Sequence, residues 1–196
     1  IRGSGPRGAL AGLQYLLQKN GPLSLGVNQL GGLLCAKPNA LRPDMQVYIN
    51  PITYRPALQG GRRPILPDRE PGFIFSFNAC RPYSTGRVEI TDPDWRQPPR
   101  IDGNYLSDQR DLEDAVAMAR LIGKRQDSAT IKGLLAAPVE TGLSAMSDQA
   151  IINDCRGRSG TVFHPCGTCR MGPDAAHAVV DPSLRVHGID RLRIAD

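Results

Sequence analysis

The chain has 196 residues, 40% of them hydrophobic, enough to bury a substantial core, and its 21 Gly and 17 Pro favour short elements joined by turns over long helices or coiled coils. A net charge of +5 arises from 24 Lys and Arg against 19 Asp and Glu, with the basic residues scattered, and only 5% of residues are aromatic. No basic stripe is interleaved with aromatics, so neither a phosphate track nor a stacking platform is present and nucleic acid is not an expected partner.

Residues 3–8, GSGPRG, fit the pattern G-x-G-x-x-G. The context rejects a dinucleotide turn: no strand leads into Gly3, Pro6 sits inside the turn, and no acidic residue follows about 20 positions later to meet a ribose. From Gly8 to Lys19, the spacing of Leu10, Leu13, Leu16 and Leu17 predicts an amphipathic helix stopped by Asn20-Gly21-Pro22. After a loop, MQVYINPITY alternates Met45, Val47 and Ile49 with Gln46, Tyr48 and Asn50, the period of a strand with one apolar face and one polar face suited to a pocket wall.

Arg55 to Pro71 is rich in Pro, Gly and Arg and reads as a long surface loop, a lid or an interface arm. Phe73 to Cys80 and Arg87 to Thr91 are predicted strands, and the short Ser84-Thr85-Gly86 connection predicts that they pair antiparallel. Asp108 to Ile122 predicts the clearest helix, capped by Ser107 or Asp108, with Leu112, Val116, Ala119 and Ile122 on one stripe and Gly123 as its stop. A last helix is expected from Asp148 to Arg156, ending at Gly157, with Cys155 as a small buried hydrophobe. Strands and helices follow no βαβ rhythm, so the expected fold is α+β: an antiparallel or mixed sheet with helices packed on one face.

Five cysteines, an odd number in a chain that needs no staples, imply free thiols in a reducing compartment, read as the cytoplasm with membrane association left open. No apolar run reaches the roughly 18 residues of a membrane span, and no signal segment opens the chain. The chain begins on Ile1 and closes inside a strand-like RLRIAD, so both ends are read as cut.

All three histidines lie between Phe163 and Asp196. His164 follows the strand-like Thr161-Val162-Phe163 and precedes a Pro-Cys-Gly turn, a position at a strand end; imidazole, with an ordinary pKa near 6.5, is the commonest general base. Cys166 and Cys169 form C-x-x-C, and with His164 they raise a structural zinc domain as one alternative. A single ligand pair, with His177 and His187 in separate turns, argues against metal, and Arg170-Met171-Gly172-Pro173 breaks the chain too soon for a thioredoxin-like helix.

His164-Pro165-Cys166-Gly167-Thr168-Cys169-Arg170-Met171-Gly172, then VDPSLRVHGI from Val180 to Ile189, then Leu192-Arg193-Ile194-Ala195-Asp196, resemble the C-terminal signature of the glucose-methanol-choline (GMC) oxidoreductases, choline-dehydrogenase-type members above all. Gly21-Pro22-Leu23, Pro43-Asp44-Met45-Gln46, Arg81 to Val88 and Asn104-Tyr105-Leu106 resemble that family in the same order. The resemblance implies an FAD-dependent enzyme that oxidises a primary alcohol to an aldehyde by passing hydride to flavin, with a small-molecule alcohol as substrate.

It implies that His164 is the base, that Phe163, Tyr48 and Gln46 contact substrate, and that Pro165, Ala195 and Asp196 lie beside the flavin. Residues 1–178 correspond to a substrate-binding domain and 179–196 to a fragment returning to an FAD-binding domain that these residues do not contain. The isolated chain is therefore expected to be inactive and not to retain FAD. Cys166 stands where the family usually has a small aliphatic residue, and no cage for a quaternary ammonium is visible. The competing class is a non-catalytic binding module that keeps the fold.

Overall fold

The structure, a computed structural model of the chain, describes residues 6–26, 28–54, 72–135 and 142–195. The Arg55 to Pro71 loop lies outside the described residues, as does the first half of GSGPRG. The chain divides into two compact units, Ile1–Tyr83 with Leu106–Arg158, and Ser84–Tyr105 with Ser159–Asp196.

The first unit is built on a three-stranded antiparallel sheet in the order β1 (Leu30–Leu34), β2 (Met45–Asn50), β3 (Ile74–Ala79). The pairing of β2 with β3 sets Met45 opposite Ala79, Val47 opposite Phe77 and Ile49 opposite Phe75. Because side chains alternate across a strand, these residues share one face. Met45, Val47, Phe75, Phe77 and Ala79 there join Met118 and Ile122 in the core. Gln46, Tyr48 and Asn50 share the other face with Ile74, Ser76 and Asn78.

Helix α1 covers Pro6–Gln18 and buries none of its residues. Helix α2 covers Gln109–Gln126, and its buried stripe of Leu112, Ala115, Met118, Ala119 and Ile122 is the helical half of the core. Its cap is Asp108, whose side chain accepts the N–H of Arg110 at 2.9 Å. A short α3 (Ala129–Lys132) follows, and α4 (Asp148–Arg158) packs on α2 through Ile151. Arg120 of α2 bonds the Leu143 carbonyl at 3.1 Å and the Asp148 carboxylate at 2.6 Å, pinning the start of α4. The α+β architecture with helices packed on one sheet face is thus the observed one.

Three expectations are corrected. Gly123 lies inside α2, which runs on to Gln126, and α4 likewise runs through Gly157 to Arg158. The strand β1 forms although LGGLL has no alternation, because β2 supplies a complete ladder partner. Finally, β3 does not pair with the next strand, β4 (Arg87–Glu89). Arg81 donates to the Pro43 carbonyl at 2.7 Å, Pro82 has no N–H for a ladder, and Tyr83 donates to Asp111 at 2.8 Å, so the connection is tied down elsewhere.

In the second unit β4 pairs antiparallel with β5 (Arg100–Asp102). A Cβ on Gly86 would collide with the Asp102 carbonyl oxygen, so the glycine permits that close approach. Residues 159–195 hold only isolated bridges, Met171 with Val180, Val180 with Val186, and Arg185 with Arg193, folded around the buried Val180. No described helix is long and apolar enough to cross a membrane.

Candidate active site

The turn bearing His164 is made by backbone geometry. The expected strand over Thr161–Phe163 is absent; the Thr161 hydroxyl accepts the Phe163 N–H at 3.0 Å, and Phe163 adopts φ 61. A left-handed backbone is uncommon for a bulky aromatic residue and reverses the chain locally. Phe163 is 83% exposed, and His164 and Pro165 are exposed beside it. Gly167 then opens a turn closed by the Arg170 N–H at 3.3 Å from its carbonyl.

Below this turn the chain is held by ordered polar contacts. Val179 and Val180 both donate to the Arg170 carbonyl, and Gly172 donates to that of Val180 at 2.9 Å. Asp181 accepts the N–H groups of Ser183 at 2.7 Å and Arg185 at 2.9 Å, an Asx turn fixing the Asp-Pro-Ser-Leu corner. The Arg185 N–H, the largest influence, holds the Asp181 carboxyl below the usual range. Ile194 donates to the Leu184 carbonyl at 3.1 Å. That bond brings the tail beside Pro165, and a cavity of about 200 Å³ is lined by both of them together with Cys166, Gly167, Cys169 and Leu184.

The three histidines differ in their surroundings. His177 sits with Nδ1 2.6 Å from Asp174, whose carboxyl is held low first by the Ala176 N–H and then by this imidazole. His187 places Nε2 3.0 Å from the Gly172 carbonyl, so its Nε2 carries the proton, and its main-chain N–H bonds Val179. His164 is exposed and makes no hydrogen bond or ion pair among the described residues. The described residues gather no group of three or more His, Cys, Asp and Glu able to hold a metal ion, and Cys166 and Cys169 are free thiols.

Of the residues expected at the site, Phe163, His164 and Pro165 form one exposed turn in the second unit, and Ala195 follows Ile194 of the same cavity. Asp196 lies outside the described residues. Gln46 and Tyr48 belong to the first unit, half-buried and neighbours on the polar sheet face. Asn50, Ser76 and Asn78 lie on that face too, together with Ile74 and, from β1, Leu33. Asn50 was visible as a polar strand position, and the alternation Ile-Phe-Ser-Phe-Asn-Ala carried the signal for Ser76 and Asn78, but only the register shows which of them share the face.

Comparison with known proteins is consistent along the chain. The family described as GMC oxidoreductase matches residues 82–196. The chain is similar to alcohol dehydrogenase [acceptor] of Pseudomonas putida, 33% identical over 97% of this chain and 33% of that protein. It is similar too to an oxygen-dependent choline dehydrogenase of Brucella ovis, 31% identical over 96% of this chain and 33% of that one. Among solved structures, pyridoxine 4-oxidase from Mesorbium loti superimposes with TM-score 0.64 at 26% identity, covering 88% of this chain and 33% of the other. Formate oxidase gives 0.77 at 24% identity over 98% and 37%, a likeness of fold alone. The chain spans about a third of the length of the curated relatives it matches. By the family match, and by relatives 31–33% identical over nearly its whole length, the chain belongs to the GMC oxidoreductases, whose C-terminal part it represents.

Proposed function

We propose that this chain is the substrate-side, base-bearing part of an FAD-dependent alcohol oxidoreductase that converts a primary alcohol to an aldehyde. The observation that carries the reading is the contrast among the histidines: His177 and His187 are engaged, whereas His164, on the strained Phe163 turn, is exposed and without a partner among the described residues. The alcohol dehydrogenase and choline dehydrogenase relatives support the reaction class.

In this reading the neutral His164 imidazole accepts the hydroxyl proton as the carbon–hydrogen bond breaks, because hydride leaves a carbon more readily as its oxygen gains alkoxide character. Bound FAD supplies the acceptor for that hydride. Phe163, next to His164 in the chain, offers an apolar surface to the substrate, and the family resemblance alone assigns Tyr48 and Gln46 to substrate contact.

The residues present fit one end of FAD. Pro165, Ile194 and the neighbouring Ala195 offer an uncharged wall for the ring system. A pyrophosphate instead seeks a free helix N-terminus. The α2 cap is filled by Asp108 with Asp111 in its first turn, α4 opens on Asp148, and no helix is described in residues 159–195. In this proposal residues 1–178 serve the substrate, 179–196 complete the flavin domain of the same enzyme, and the 196 residues alone neither retain FAD nor turn over.

The test is made in the complete flavoprotein carrying this chain. His164→Ala should slow flavin reduction by alcohol roughly 100-fold or more with FAD content unchanged. An unchanged rate removes His164 from the role. Near-unit flavin occupancy in the purified 196-residue chain would overturn the prediction that it does not retain FAD.

A further inference from the structure

His164 stands in a stretch with little to hold it. Residues 161–168 are all exposed, and among the described residues a single hydrogen bond ties residues 161–165: the Thr161 hydroxyl accepts the Phe163 N–H at 3.0 Å. This is the local turn that Ser and Thr hydroxyls form with an N–H two residues on. Its product is the backbone of Phe163, with φ 61, a region that a bulky residue rarely enters. Packing does not impose it, because Phe163 is 83% exposed.

Two other residues with left-handed backbone are each tied twice. Leu184, φ 65, donates to the Asp181 carbonyl at 2.9 Å and accepts the Ile194 N–H at 3.1 Å. Asn104, φ 45, donates its N–H to the Asp102 carboxylate at 3.0 Å and its side-chain amide to the Thr85 carbonyl at 2.9 Å. Phe163 has the Thr161 hydroxyl alone among the described residues. On the other side of the histidine, Pro165 confines the His164 backbone to the extended region. The remaining freedom in where His164 leaves the main chain therefore lies at Phe163.

We propose that Thr161 is the positioning residue for His164: its hydroxyl, by accepting the Phe163 N–H, holds the left-handed backbone that sets the direction of the imidazole. The inference rests on the reading of His164 as the base. A base must stand within hydrogen-bond reach of the proton it removes. Return of Phe163 to negative φ would swing His164 through more than the misplacement of about 1 Å that can cost roughly 100-fold in rate. Thr161 in this role touches neither substrate nor flavin.

The test uses the complete FAD-loaded enzyme. Thr161→Val keeps the shape of the side chain and removes the acceptor; Thr161→Ser keeps the acceptor. At saturating alcohol, Thr161→Val should slow flavin reduction by roughly tenfold or more, with KM, FAD content and thermal midpoint near those of the parent, because Thr161 is exposed and outside the core. Thr161→Ser should restore most of the rate. Hydrogen exchange of the Phe163 amide should be faster in Thr161→Val than in the parent and unchanged in Thr161→Ser, a readout that does not depend on turnover.

A Thr161→Val enzyme that reduces its flavin as fast as the parent, while His164→Ala is slow, overturns the inference and leaves His164 as the base. Equal slowing in the Val and Ser variants, or slowing accompanied by lost FAD or a lower midpoint, overturns it too, since the hydroxyl would then not be acting through the turn. If His164→Ala changes nothing, the underlying reading fails instead.

Discussion

Asp111, 4% exposed in the first turn of α2, accepts the main-chain N–H of Tyr83 at 2.8 Å. The neighbouring Arg110 guanidinium lies 3.9 Å from the centre of the Tyr83 ring, so one helical turn holds both the backbone and the side chain of that residue. These contacts take the chain out of β3 and keep it from folding back on the sheet. Asp111→Ala should leave the Tyr83 N–H unmet at a cost of roughly 1–3 kcal/mol, read as a lower midpoint in thermal or urea unfolding. A loss smaller than the error of the measurement would show that the contact does not anchor the connection.

Gly123 offers a test in which the usual rule changes sign. In an exposed helix interior Gly→Ala stabilises by up to about 1 kcal/mol, but here a Cβ would stand 2.7 Å from Ser144 Oγ and 3.0 Å from the Ser144 nitrogen. The hydroxyl can rotate away; the backbone nitrogen cannot without moving the Leu143–Ala145 turn. Gly123→Ala should therefore destabilise, by about 1–3 kcal/mol, as overpacking does. A more stable variant would show that the turn yields freely.

The same glycine shows where sequence reading stops. As a residue type it marks a helix end, but it is also the residue that lets two elements touch, and the sequence does not distinguish these uses. The alternation of β2 and the Asp108 cap were legible because each depends on neighbours within a few positions. The pairing of β3 with β2 rather than β4 depends on Asp111, 28 positions from Tyr83, and so was hidden. At the site, the family signature made His164 visible. The reversal at Phe163 was not visible, because positive φ in a phenylalanine is imposed by surroundings and not by its own preference.

The α2 cap makes a prediction about acid. The Asp108 carboxyl is lowered from 3.8 to about 2, chiefly by the Arg110 side chain and next by the Arg110 N–H. A folded value below the unfolded one means that the carboxylate form favours the folded state. Its contribution is fully present above about pH 3.8 and is lost as pH falls through about 2. Asp108→Asn keeps a capping oxygen but removes the titration, so its stability should vary less with pH over that window than the parent's. Parallel pH profiles for parent and variant would refute the assignment.

The five free thiols provide the last test, because burial divides them. Cys35 and Cys166 are exposed, whereas Cys155 on α4 is partly buried and its thiol is pushed up, first by burial and then by the Asp154 carboxylate. Thiolate is the reactive form, so exposure and thiolate fraction both rank Cys155 behind the exposed pair. Under native conditions near pH 8, alkylation followed by peptide mass analysis should label Cys35 and Cys166 first, with Cys155 measurably slower. Full labelling of Cys155 should require unfolding. Cys166→Ser should remove one fast thiol without altering the Cys155 rate, since Cys166 lies in the second unit and Cys155 in the first. Cys155 reacting as fast as Cys35 in the folded chain would mean that α4 opens on the labelling timescale, contradicting the anchoring of its first turn by Arg120.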